Sequence, residues 1–283
     1  MITTCMIDIC TVVYGDEIDL LPVQAQSIQR YADQLGTRNI YVVVNDQDHH
    51  MADIDPRWWG ALAAQVTVMP RSFWSASWSD NGWLSQQLWK LLTAASSWNT
   101  WTMVLDAKTV LVKDFTLEEL LDPQGRARVG RCPIQPVFDA SRQICEQLWG
   151  QPLEHQLGPA GVPFLFHNST VRAMISEITR RTGQPFPVWF QAQGRLTEFI
   201  LYSSWAQYSS ADHLYSAECE IHPVNLCHSE VGLFDHKIQD MRSPDTTTVS
   251  IHSRAWAQLT DPQRQQYRDL LVDRNIISGA FIP

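Results

Sequence analysis

Lysine is nearly missing from this chain. Among 283 residues it occurs only at Lys90, Lys108, Lys113 and Lys237. Together with a formal net charge of -9, this scarcity argues against a broad nucleic-acid-binding surface and leaves room only for a local basic pocket. No apolar run reaches the roughly 18 residues that a membrane span needs. The opening "MITTCMIDICTVVYG" has no basic start and no small-residue cleavage site, and Asp8 interrupts it. It reads as a first strand rather than a signal peptide. The six cysteines (Cys5, Cys10, Cys132, Cys145, Cys219 and Cys227) lack a framework spacing, so they read as free thiols in a reducing compartment, and the expected location is the cytoplasm. Repeats, low-complexity tracts and an evident linker are also wanting. The expectation is therefore a single domain over 1–283.

What is present is a globular composition: 45% hydrophobic and 18% charged, which excludes extended disorder. Tryptophan is abundant, with 12 copies. Its rings suit either a dense core or platforms for sugar and base faces.

Strand-like and helix-like segments alternate through the first half. "IDICTVVY" (7–14) is β-branched and suits a buried strand. Residues 16–36 carry Ile18, Leu21, Ala25, Ile28, Ala32 and Leu35 at helical spacing, with Gly36 closing the helix. A second strand follows at 39–46, a short helical piece at "WGALAAQ", and a third strand at "VTVMP". Asp80 and Asn81 are candidate caps for a helix over 82–97, and a fourth strand occupies 100–106. This alternation predicts an α/β fold with a mostly parallel central sheet flanked by helices.

The second half is less regular. Residues 121–163 are rich in Pro and Gly and read as loops with a helix near 139–149. Helices are expected at 169–181, with Ser169 as cap, at 195–207 and at 261–274. "PFPVW" breaks the helical pattern, and late strands are expected near 218–226 and 246–253.

In an open α/β sheet, ligands bind beyond the carboxyl ends of the strands. That directs attention to Tyr14 to Glu17, Asn45 to Asp48, and Asp106 to Lys108, which would line one edge.

Four pieces of the chain carry a resemblance: "VVYGDEIDLLPVQAQSI", "GWLSQQLWKL", "MVLDAKTVLVKDF" and "LTEFILYSSW", together with a late His in "SIHSRAW". In this order the chain resembles the GT-A glycosyltransferases, and within them a group from bacteria and their viruses with a variant Asp-x-Asp motif. The resemblance implies a single GT-A, Rossmann-like domain, with 1–115 as the nucleotide-sugar-binding half and 116–283 on the acceptor side. It implies transfer of a sugar from a nucleotide-sugar to a glycan or other hydroxyl acceptor, a hexosyltransferase-class activity.

Charge builds on the diphosphate as the glycosidic bond breaks, and something positive must meet it. The family usually uses a divalent cation, Mn2+ or Mg2+, held by Asp-x-Asp and often by a late His. Here the motif is Asp106-Ala107-Lys108. Asp106 and His252 are the implied metal ligands. The alternative is that Lys108 supplies the positive charge itself, leaving Asp106 to accept hydrogen bonds from hydroxyls. Gln86 or Gln87 shares a helix face with Lys90 and could grip a phosphate or sugar hydroxyls; a solvated face is the plainer reading. Tyr14 and Asn45 complete the implied nucleotide-sugar-binding set. Glu198 is the implied base that takes the acceptor's proton, with Asp106 as its catalytic partner; the plainer reading of Glu198 is a first-turn carboxylate complementing the helix dipole.

Other clusters are weaker. Cys219, His222, Cys227 and His228 fit no common zinc spacing. Asp48-His49-His50 reads as loop. Trp74, Trp78 and Trp83 surround a serine-rich stretch that suits a lid, an acceptor platform or plain packing. Two rival functions stay in view. One is a non-catalytic carbohydrate-binding protein on a degenerate GT-A fold, favoured by the altered acidic motif. The other is a nucleotidyltransferase, disfavoured because "VVYGDEID" has one glycine where a phosphate loop needs several.

Overall fold

The computed structural model of the chain describes residues 7–32, 35–74, 81–158, 161–219 and 221–278. Its first half builds most of a five-stranded sheet from β1 (Ile7–Val13), β2 (Ile40–Val44), β3 (Val66–Pro70) and β4 (Trp101–Asp106). The order is β3-β2-β1-β4, all parallel, and β8 (Phe164–His167) joins β4 antiparallel at the far edge. The expected mainly parallel sheet flanked by helices is therefore present. Every residue of the central strand β1 is buried, which is why it reads as an almost unbroken apolar run. Its one charged residue, Asp8, is enclosed and accepts hydrogen bonds from Asn39 (2.9 Å), Asn99 (2.6 Å) and the Ser97 hydroxyl. Those bonds repay its desolvation.

The expected helix over 16–36 is shorter and in two parts. A 3-10 segment covers Gly15–Leu20, and α1 proper runs Leu21–Tyr31. Pro22 sits in the first turn of α1, where its missing N–H costs nothing, so it marks the start of the true helix. Helix α2 (Gly82–Ser96) starts at Asn81, whose side chain accepts from the Leu84 amide at 3.3 Å. Asp80, the other candidate cap, lies outside the described residues.

After β4 the chain forms β5 (Val110–Leu111), α3 (Leu117–Leu120), the small ribbon of β6 (Arg131–Cys132) and β7 (Gln156–Leu157), and between them α4 (Asp139–Trp149). Strand β8 then leads into α5 (Asn168–Thr182). Its N-cap is His167 rather than inside the helix at Ser169; the Ser169 hydroxyl meets the His167 ring at 3.2 Å. "PFPVW" does not break the helical pattern: it opens α6 (Phe186–Ala192), with Pro187 tolerated in the first turn. Helix α7 (Glu198–Tyr208) follows, capped by Thr197. A second, smaller sheet has the order β5-β10-β9, where β9 is Pro223–Leu226 and β10 is Thr248–Ile251. It packs with α8 (Phe234–Arg242), α9 (Ser253–Trp256) and α10 (Asp261–Asp273) around a separate apolar cluster that includes Phe234, Val249, Leu270 and Leu271.

Candidate active site

The turn after β4 is where the two sheets meet, and a buried amide fixes it. The Gln24 side chain on α1 accepts from the Thr11 hydroxyl at 2.9 Å and donates to the carbonyls of Asp106 (2.6 Å) and Thr109 (3.1 Å). Ser27, one turn on, accepts from the Leu111 amide at 3.1 Å. These contacts set the geometry of Asp106-Ala107-Lys108. Nothing in the sequence pattern had singled out Gln24, apart from a polar residue on the buried face of an amphipathic helix.

The carboxylate of Asp106 is held between two ammonium groups. Lys90 Nζ donates to Oδ1 at 2.8 Å, and Lys108 Nζ donates to Oδ2 at 3.1 Å. Gln86 Nε2 is a weaker third donor, 3.4 Å from Oδ1. Burial alone would raise the Asp106 pKa, but the two lysines outweigh it and hold the carboxyl well below the usual range. Lys90 is itself only 3% exposed. Burial pulls its ammonium towards neutrality, and Asp106 and Glu198 together reverse that and raise its pKa. The polar face expected for Gln86 and Lys90 is thus turned inward rather than solvated.

Glu198 completes the cluster from behind. Its Oε1 lies 3.1 Å from Lys90 Nζ, and solvent does not reach it. The Lys90 contact is an ion pair, and by hydrogen-bond geometry neither Oε1 nor Oε2 has a partner. Burial raises the Glu198 pKa against the pull of Lys90. α7 is buried around its whole circumference from Glu198 to Ala206, so its first-turn carboxylate, expected to meet the acceptor, faces Lys90 rather than open space.

Above this cluster opens a hollow of about 280 Å3. Gln86, Gln87, Lys90, Asp106, Lys108 and His252 all line it, and Glu198 does not. Five residues from the first half of the chain thus meet one from near its end. Trp83, 47% exposed, and Phe138 stand in the same lining. Gln87 also bonds its own helix, donating to the Trp83 carbonyl at 3.2 Å. Burial and the neighbouring Lys108 lower the His252 pKa, and its Nδ1 is buried with no hydrogen-bond partner.

Two expected ligand contacts go elsewhere. Asn45 is 3% exposed; it accepts from Trp89 Nε1 at 2.6 Å and donates to the Gly82 carbonyl at 2.9 Å. Tyr14 donates its hydroxyl to that same carbonyl. Both residues anchor the start of α2, so neither lines the hollow. Of the "NDQDHH" segment, Asp46 accepts from the Gly15 amide at 2.7 Å and Asp48 from the Ser72 hydroxyl at 2.6 Å. Trp78 and the serine-rich stretch around it lie outside the described residues. Among the described residues no three His, Cys, Asp or Glu side chains are grouped to hold a metal, and Cys219 instead donates to its neighbour's carbonyl at Ile221.

The site also fails as a seat for the expected Mn2+ or Mg2+ at Asp106 and His252. Such cations want several oxygen ligands. Here the one carboxylate already has an ammonium on each oxygen, and Lys108 stands where a second carboxylate would be.

A model described as a family of unknown function (DUF6492) matches residues 4–256. The chain belongs to that family. Among curated proteins none matches it in sequence. Among solved structures, this DUF6492 chain is similar to the galactosyltransferase LgtC in complex with donor and acceptor sugar analogs, at 11% identity and a TM-score of 0.50, over 96% of this chain and 98% of that one. An active-site mutant of LgtC gives the same identity, coverage and score. The bifunctional glycosyltransferase WbbM aligns at 12% identity and a TM-score of 0.48, over 97% of this chain and 50% of its own. At such identity the LgtC likeness concerns architecture: the DUF6492 chain has the fold of the GT-A glycosyltransferases.

Proposed function

We propose that the chain is a glycosyltransferase that moves a sugar from a nucleotide-sugar to a glycan or other hydroxyl acceptor, with Lys108 doing the electrostatic work a divalent cation does elsewhere. The observation that carries this reading is the pair of lysines on Asp106 at the floor of a hollow in a GT-A fold. The diphosphate gains charge as the bond to the sugar breaks, and a fixed ammonium already in place stabilises it without reorganisation. Lys90 is locked by Asp106 and Glu198, so its role is to hold Asp106 and add positive potential. Lys108 has one carboxylate contact and is the cation able to turn towards phosphate. Gln86 and Gln87 offer amides to sugar hydroxyls. His252, neutral through burial and the nearby Lys108, is the group in the lining suited to take the acceptor's proton, in place of the enclosed Glu198.

One observation favours a second reading. Among the described residues no unpaired carboxylate lines the hollow, since Asp106 is doubly engaged and Glu198 is shut away. A non-catalytic carbohydrate-binding protein on a degenerate GT-A fold fits that. The two are separated by incubating the protein with a panel of nucleotide-sugars, in Mn2+ or in chelator, and following donor hydrolysis and transfer. The transferase reading expects turnover of at least one donor in chelator. Sugar binding without turnover of any donor in either condition supports the second reading instead.

A further inference from the structure

A second hollow, of about 290 Å3, lies outside the site over Lys90 and Asp106. The backbone of β10 separates the two: at its end Ser250 and His252 line the first hollow, while Ile251 and Ser253 line the second. Lys108 borders both, but its ammonium is bonded to Asp106 on the first side.

The second hollow is a gap in an apolar cluster. Its walls include Val23 from α1, Val110 from β5, Ile251 from β10 and Leu271 from α10, all buried members of the cluster around the smaller sheet. Its volume is close to the smallest that holds a small organic ligand, about 300 Å3. Water against such walls finds few hydrogen bonds, and an apolar body that displaces it gains affinity.

One polar group interrupts these walls. Tyr267 on α10 lines the hollow and is only 8% exposed. Among the described residues its hydroxyl makes no hydrogen bond; burial alone acts on it and raises its pKa, so it stays a protonated donor. The Trp256 ring packs edge-on against the Tyr267 ring, 6.0 Å between centroids, which fixes the direction of the phenol. A buried donor without an acceptor is costly, and an oxygen brought by a ligand removes that cost.

The edge of the hollow selects by charge. Asp16, Glu17 and Asp19, from the segment after β1, stand there with Lys108 and Arg268. Of those two cations, Lys108 is held by Asp106 and Arg268 lies over the Trp256 ring at 5.8 Å. The excess of carboxylates disfavours an anion, and the apolar walls disfavour any ion that must shed its water.

We propose that this hollow is a binding site for a neutral, mostly apolar small molecule, aromatic or branched, with one oxygen that accepts from the Tyr267 hydroxyl. The site is separate from the proposed sugar transfer and does not rest on that reading.

The test is fluorescence titration with prodan, a neutral naphthyl ketone whose emission moves to the blue on leaving water. The wild type is compared with Tyr267→Phe, which keeps the ring and loses the donor, and with Leu271→Trp, which fills the hollow. The wild type should bind prodan saturably with blue-shifted emission. Tyr267→Phe should weaken binding by about 3- to 10-fold, the worth of one hydrogen bond. Leu271→Trp should weaken it by about tenfold or more; should that variant misfold, Tyr267→Phe carries the test. Excess uridine diphosphate should leave prodan affinity unchanged. No saturable binding by the wild type, or wild-type affinity in Tyr267→Phe or in folded Leu271→Trp, overturns the proposal. Displacement of prodan by uridine diphosphate overturns it too, by assigning the hollow to a nucleotide.

Discussion

The ammonium of Lys90 lies 3.1 Å from the carboxylate of Glu198, in a part of the molecule that solvent does not reach. The same ammonium is 2.8 Å from Asp106. A buried cation shared by two carboxylates is justified only as a unit: its attraction to both offsets a desolvation cost that none of the three could bear alone. Its consequence for function is a rigid floor under the hollow, on which Lys108 is the adjustable part.

Removing the shared cation should therefore be severe. Lys90→Met leaves two carboxylates facing each other with one lysine, and the expected loss is about 3–5 kcal/mol of stability. Adding Glu198→Gln to Lys90→Met should restore part of that loss. Urea denaturation of the two single variants and the double variant measures the coupling; strictly additive losses would contradict the shared-cation account.

Glu198 also imposes a pH signature. Burial raises its pKa in the folded state, so its contribution to stability is fully present below its unfolded value, about 4.3, and is lost as pH rises through the folded value. Asp106 works the opposite way: burial is outweighed by the two lysines, its folded pKa is depressed, and its contribution is lost as pH falls below about 3.9. Glu198→Gln should remove only the first effect. Its stability relative to wild type should rise with pH above about 4.3 in denaturation curves. A constant difference across that window would mean that Glu198 titrates normally.

Asn45 is expected to act on folding through α2 rather than on substrate directly. Asn45→Ala removes the acceptor of the enclosed Trp89 indole N–H and one of the donors to the Gly82 carbonyl. The expected cost is about 1–3 kcal/mol by thermal or chemical denaturation. A variant of unchanged stability but weakened nucleotide binding would return Asn45 to the site.

These assignments mark what the sequence could convey. The alternation of β-branched runs with amphipathic segments is enough for a mainly parallel sheet flanked by helices, because a parallel strand must be apolar on both faces and its crossover helix on one; the strand order is not contained in it. Of the residues that line the hollow, strand-end convergence pointed to Asp106 and Lys108, a shared helix face to Gln86 and Lys90, and the family resemblance to His252. What lay hidden was the partner opposite each side chain. Periodicity put Lys90 off the apolar stripe of α2 but could not show that two carboxylates wait there. It gave Glu198 a place in a first turn, and the run "FILYSSWA" behind it, apolar on nearly every side, was the signal that the helix is enclosed. Tyr14 and Asn45 were correctly placed after their strands, yet the Gly82 carbonyl claims them both. Strand β8, only four residues long and set in a Pro- and Gly-rich stretch, lacks the length to declare itself.

His252 carries the proposed proton transfer, so His252→Ala should lower kcat by about 100-fold or more with little change in donor affinity. Single-turnover assays with whichever donor the panel identifies decide this. Loss of donor affinity with kcat unchanged would make His252 a binding residue.

The most direct test of the account is the affinity of the wild type and of Lys108→Gln for a nucleoside diphosphate, each measured in Mn2+ and in chelator. If the Lys108 ammonium meets the diphosphate, wild-type affinity is the same in both conditions and Lys108→Gln weakens it by about tenfold or more in each. Binding that requires Mn2+ and is untouched by Lys108→Gln would contradict it.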